Sequence, residues 1–259
     1  MGDDVYFQIY RTEDLRSWEI LNTDGDLFFD AARGHKMVFL EDNQTLYSLG
    51  GYQANGEVIA NMSSTSDQGS SWKTETPPWE ASEAREGFAV LVKPGSFVIY
   101  GGKRGTTYFG DALEFTPGSG WTAFETRNTS LDPAALNLPD TDGSTIVKDP
   151  NGFYYLFGGN TASATLNTRA YISYHGGSAW KRVFGFSYPA RKNAYVNEFL
   201  GNFYLTGGTD GTTSLFHDQW IAETTLKLRE VFVADPHYDL SQSLTIRALE
   251  DRIKALENA

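Results

Sequence analysis

Three arginines in an acidic chain have a spacing that chemistry could use. Arg33, Arg85 and Arg191 stand 17, 16 and 16 residues ahead of Gly50, Gly101 and Gly207, each in a context of Pro, Ala and Gly. A planar guanidinium presents a fork of N–H donors that fits a carboxylate or phosphate, so several at matching places of a repeat could converge on one anion. Other chemistry is sparse. There is no G-x-S-x-G elbow, no H-E-x-x-H and no phosphate loop before a helix, and Gly118-Ser119-Gly120 runs into a strand and reads as a turn. His35, His175, His217 and His237 lack metal-ligand spacing. Asp24-Gly25-Asp26 and Asp140-Thr141-Asp142-Gly143 carry only fragments of a calcium loop and read as turns. No catalytic residue, metal or cofactor is assigned.

What must position the arginines is a repeat. An apolar strand running into two glycines occurs four times, at Leu46–Gly51, Ser96–Gly102, Tyr154–Gly159 and Phe203–Gly208. Successive first glycines lie 51, 57 and 49 residues apart, a period that marks a repeat architecture. Aromatic and β-branched residues make each run a buried strand, and the glycines let the chain turn where a Cβ would clash. The third copy lacks the arginine, with Asp142 at the place 16 residues ahead of Gly158. A tryptophan opening an alternating strand follows the first three pairs, at Trp72, Trp121 and Trp180, and in the fourth copy Trp220 comes earlier.

On these residues, from Ala31 to Val233, the chain resembles the kelch repeat. The resemblance implies an all-β, kelch-like β-propeller, in which such arginines brace neighbouring blades through backbone carbonyls. Thr65-Ser66-Asp67-Gln68-Gly69-Ser70-Ser71-Trp72, echoed by Thr12, Asp14 and Trp18, resembles the Asp-box of sialidase-like propellers. That motif is a turn: the aspartate accepts N–H bonds and the tryptophan packs between sheets. Sialidases hold a carboxylate with three arginines, but their Arg-Ile-Pro phrase is absent here. Four blades are expected, at 33–74, 85–126, 142–183 and 191–233. Strands at Val5–Tyr10 and Ser17–Ile20 should form a reduced fifth, giving about five blades, and the insert Arg127–Asp140 reads as a loop on the rim.

Composition narrows the partners. A net charge of −12 repels nucleic acid and anionic membranes, so neither is expected as a partner. No run of eighteen apolar residues exists to insert in a membrane. Met1-Gly2-Asp3-Asp4 lacks the apolar core of a signal peptide, which fits a cytoplasmic product or a piece cut from something longer. Without cysteine, the fold depends on no disulfide.

Beyond Val233 the pattern changes, dividing a propeller at 1–234 from a linker and oligomerisation coiled coil at 235–259. Asp239-Leu240-Ser241-Gln242 reads as a helix N-cap, and Ile246, Leu249, Ile253 and Leu256 recur at spacings of 3, 4 and 3. So short a helix needs partners. Ile at a with Leu at d points to a parallel dimer. Arg252 and Glu257, bracketing Ile253 and Leu256, resemble the trimerisation motif of short trimeric coiled coils, in which the arginine bonds a neighbour's glutamate, and a homotrimer is the expectation.

In arrangement the chain resembles a bacteriophage tail-fibre tip or other virion receptor-binding protein, and trimeric bacterial adhesin tips are similar. The resemblance implies a viral attachment protein on a virion or extracellular surface, binding a host cell-surface glycan or protein through three sites acting together. The alternative is a propeller-type glycan hydrolase or lyase. Loops after the glycine pairs should share one rim, where aromatic, amide and charged groups suit sugars. Tyr52, Lys103, Arg104, Tyr108, Asn160 and Asp210 are the expected ligand contacts.

Overall fold

A computed structural model describes residues 10–12, 14, 16–20, 34–53, 56–162, 165–184, 188–211, 215–216 and 218–223. Arg33, Asp24 to Asp26, His217, His237 and the coiled-coil positions Ile246, Leu249, Arg252, Ile253, Leu256 and Glu257 lie outside the described residues, as does the boundary at 234.

Among the described residues the chain is all-β and propeller-like with four blades, and its only helices are single 3₁₀ turns at Glu41–Asn43 and Ala81–Glu83. The first blade holds β3 (Lys36–Leu40), β4 (Thr45–Leu49), β5 (Met62–Thr65) and β6 (Lys73–Glu75). The second holds β7 (Ala89–Lys93), β8 (Ser96–Tyr100), β11 (Ala112–Thr116) and β12 (Gly120–Ala123), with a hairpin of β9 (Lys103–Arg104) and β10 (Thr107–Tyr108) between its middle strands. The third holds β13 (Thr141–Lys148), β14 (Tyr154–Thr161), β15 (Ala170–Ser173) and β16 (Lys181–Val183), and the fourth β17 (Tyr195–Phe199), β18 (Asn202–Thr206) and β19 (Gln219–Glu223). Every blade is an antiparallel meander with strands in sequence order, so each first strand, β3, β7, β13 or β17, lies at one edge of its sheet. These four edges neighbour one another in that order around the inside of the molecule.

The core is the stack of blade faces. In β8, Phe97 and Ile99 join Val38, Tyr47 and Leu49 of the first blade, while Val98 and Tyr100 join Leu156 and Tyr171 of the third. In β14, Tyr155 and Phe157 turn the other way, onto Val196, Phe203 and Leu205 of the fourth. Alternate side chains of a strand point to opposite faces, so a strand sandwiched between two neighbours must be apolar throughout. Each such side chain, fully buried, contributes about 1.5–3 kcal/mol.

The glycine pairs make the junctions between blades. A Cβ on the first glycine would lie 2.6 Å from the Thr141 carbonyl oxygen at Gly101 and 2.6 Å from that of Arg191 at Gly158. Both oxygens belong to the following blade. The second glycine donates its N–H to the same carbonyl, Gly102 to Thr141 at 2.7 Å and Gly159 to Arg191 at 3.0 Å. The pairs of the second and third blades therefore clear room for the next blade and then bond to it.

Two expectations are corrected. The blades number four rather than about five: β1 (Tyr10–Arg11) and β2 (Glu19–Ile20) pair only with each other among the described residues, and a lone two-stranded hairpin lacks the further strands of a blade. The hairpin leans on the first blade, Arg11 donating to Gln68 at 3.0 Å. Residues 141–143 are not a turn, because they already belong to β13, with Asp142 opposite Asn160. The insert Arg127–Asp140 is a loop on the outer side, as read, and it is pinned there. Asn128 and Leu136 donate N–H bonds to Ser178 and Trp180, and buried Ala135 and Leu138 tie it along the outer part of the third blade.

Candidate functional site

Arg85 and Arg191 fill positions within their own blades. Arg191 is fully buried, with a two-pronged bond to the Asp218 carboxylate at 2.6 and 2.9 Å, further bonds to the Gly207 and Pro189 carbonyls, and the Phe216 ring 4.3 Å away. Its guanidinium, with help from the Trp220 indole, holds Asp218 well below the usual carboxylate range. Arg85 bonds Asp111 and the Gly101 and Glu83 carbonyls and stacks 3.7 Å from the Phe109 ring centre. Their donors are spent on a carboxylate that leads into the third strand and on the carbonyl of the first glycine, not on a shared anion.

Alignment of the third blade shifts by one residue. Inter-blade bonds from Gly143 N to Gly87 O (2.6 Å) and from Asn193 N to Gly143 O (2.8 Å) make Gly87, Gly143 and Asn193 equivalent. Two residues earlier stand Arg85, Thr141 and Arg191, so Thr141, not Asp142, takes the arginine's place. Asn167 Nδ2 and Ser144 Oγ then cap the Gly158 carbonyl as the arginines cap those of Gly101 and Gly207.

Asp142 consequently falls in line with Glu86 and Lys192, the residues directly after the brace. All three border a cavity of about 710 Å³ between the first strands of the four blades, also lined by Lys36, Tyr52 and Lys103. The loops after the glycine pairs close over this end in equivalent hairpins, through the pairs Tyr52 with Val58, Lys103 with Tyr108, Asn160 with Leu166 and Thr209 with Leu215.

At this end the charges cross from blade to blade. Lys103 Nζ is 3.8 Å from both Glu86 Oε1 and Asp142 Oδ2, and Lys192 Nζ reaches the same Asp142 oxygen at 3.5 Å. Asp142 is 3% exposed, and its second oxygen is buried without a hydrogen bond. Well-made ammonium–carboxylate bonds run at about 2.7–2.9 Å, so these are long, shared contacts. Burial pushes the Lys36 ammonium below the ordinary lysine value, because a desolvated charge is disfavoured.

Of the residues expected to touch a ligand, the structure brings Tyr52 and Lys103 to this cavity. Tyr108 and Asn160 meet each other instead, Asn160 Nδ2 donating to the Tyr108 hydroxyl at 2.8 Å and joining the second blade to the third. Arg104 reaches back to the Ala81 carbonyl, and Asp210 stands half-buried outside the cavity lining. Sequence reasoning missed Lys36, Glu86, Asp142 and Lys192 as a group. For Glu86, Asp142 and Lys192 the signal available was their fixed place one residue beyond the brace, which the slip in the third copy hid, while Lys36 stands outside that spacing. Among the described residues, no three His, Cys, Asp or Glu side chains gather in a way that could hold a metal ion. Compared with known protein families and with curated proteins, the chain matches none.

Proposed function

We propose that the chain is an attachment protein, a kelch-type propeller carried as a homotrimer at the tip of a virion fibre or adhesin, which binds a cell-surface glycan or protein at the hairpin end of its central cavity. The observation that carries this reading is the cavity itself, walled by the first strands of all four blades and ringed by charged side chains. The Thr65–Trp72 stretch supports a scaffold role for the Asp-box: the Asp67 carboxylate accepts from the Ser71 N–H at 2.9 Å and the Ser71 hydroxyl, and Trp72 is buried. The heptad pattern of Ile246, Leu249, Ile253 and Leu256 supplies the trimer, whose three sites raise weak affinities by avidity. The test is whole-cell and glycan-array binding of the intact chain beside the same chain ended at Pro236. Strong binding by the first and weak binding by the second is expected, and equal binding by both would remove the trimer from the reading.

A second reading, a glycan hydrolase or lyase, is favoured by one observation: the Glu86 and Asp142 carboxylates approach the same Lys103 ammonium. Release of reducing ends from a host polysaccharide, lost in Glu86→Gln, would establish it in place of simple attachment.

A further inference from the structure

We infer that the hairpin end of the cavity takes a carboxylated saccharide, its carboxylate seated between Lys103 and Lys192 and its ring hydroxyls donating to Glu86. This rests on the glycan-binding reading above and names the class of glycan. The first argument is charge. Three lysines, Lys36, Lys103 and Lys192, line the cavity against two carboxylates, Glu86 and Asp142, so a chain of net charge −12 concentrates an excess of one positive charge there. A low-dielectric cleft lined by an excess of one sign focuses its field and raises the local concentration of the opposite charge. One excess positive charge matches one carboxylate, whereas a phosphate dianion would overshoot it and meet repulsion from Glu86.

The second argument is geometric. Buried Asp142 lies beneath both ammonium groups and holds two like charges together that would otherwise part. Each ammonium has three N–H donors, and contacts of 3.5–3.8 Å to a shared oxygen satisfy them poorly. An incoming carboxylate finds donors from two blades already gathered. Asp142 is a positioning residue here, since its free oxygen is out of reach of the cavity contents. The third argument is the rest of the wall: Glu86 is a hydroxyl acceptor and Tyr52 an aromatic face, the pair of features by which a polar ring is held in place.

The experiment titrates the intact chain calorimetrically with digalacturonate, 3′-sialyllactose, lactose and inorganic phosphate. The expected result is saturable binding of a carboxylated sugar, tighter than lactose or phosphate by about tenfold or more, the scale of one charge-assisted contact. The first two arms tell a uronic from a nonulosonic acid. Lys192→Met should weaken that binding by about tenfold, and Lys103→Met is the second variant should the first lose its thermal transition. Arg104→Met, on the same hairpin as Lys103 but off the cavity, should leave affinity unchanged. Phosphate binding as tightly as either acidic sugar would overturn the saccharide assignment, and so would equal losses in Arg104→Met and Lys192→Met. If neither acidic sugar binds while the chain still binds cells, this inference falls and attachment stands; if cell binding is absent as well, both fall.

Discussion

In the second blade, β8 is buried at all five positions; in the fourth, β18 buries only Phe203 and Leu205. Both strands lead into a glycine pair and both blades carry an arginine–aspartate brace, so the difference lies in what surrounds them. The second blade has a neighbour on each face. The fourth has the third on one face, while on the other Tyr195 is 70% and Ile221 62% exposed. The glycines show the same contrast. A Cβ on Gly101 would meet the Thr141 carbonyl at 2.6 Å, whereas on Gly207 the nearest described atom is the Phe216 carbonyl of the same blade, at 3.8 Å. Turning the chain and admitting a neighbour are thus separable tasks of one motif, and only the first is visible at Gly207.

Alanine at the first glycine tests that separation with the largest expected effect. Gly101, Gly158 and Gly207 all have positive φ, +70°, +67° and +62°, so each alanine costs about 1–2 kcal/mol from backbone conformation alone. At Gly101 and Gly158 the methyl also strikes a neighbouring blade's backbone, adding about 1–3 kcal/mol of overpacking. Urea unfolding should rank Gly101→Ala and Gly158→Ala well above Gly207→Ala, and equal losses at all three would merge the two tasks.

The braces give a smaller difference. Arg191 grips Asp218 with two nitrogens, while Arg85 reaches Asp111 with one. Lysine cannot reproduce the two-pronged bond, so Arg191→Lys should cost more than Arg85→Lys, by about 1 kcal/mol because both aspartates are partly hydrated. Thermal melting of the two variants checks the order.

The smallest effect sets the first blade's turn against the third's. Asp67, bonded by the Ser71 hydroxyl and N–H, has its carboxyl lowered to about 2. In the third blade His175 stands at that place and the Ser173 hydroxyl accepts from Gly177 N–H at 3.0 Å. A depressed carboxyl contributes stability above its unfolded value of about 3.9 and loses it as the pH falls through the folded value. The melting gap between wild type and Asp67→Asn should therefore be full above pH ~4 and close toward pH ~2. A Ser173→Ala variant should differ from wild type by the same amount across that range.

The blades were legible because β8 and β14 are apolar at nearly every position, and only a sandwiched strand needs that. Their number was less so. Trp18 and Ile20 read as strand residues, yet local pattern cannot reveal whether further strands pair with theirs. The site was legible in Tyr52 and Lys103, which directly follow glycine pairs. It was hidden in Asp142, because the distance from brace to glycine alternates between 16 and 17 residues and a slip of one moves a side chain to the other face. The grouping of Lys103 and Lys192 about Asp142 was hidden for another reason: the three come from three blades, and no spacing along the chain encodes which side chains meet across blades.

Each blade is one unbroken run of chain, and the carbonyl that receives the glycine pair of the second or third blade belongs to the blade directly after it. Cooperativity in such an array passes between nearest neighbours, as in a one-dimensional chain of coupled units. Opening should then begin where, among the described residues, coupling is one-sided, so amide exchange would be faster in the first and fourth blades than in β8 and β14.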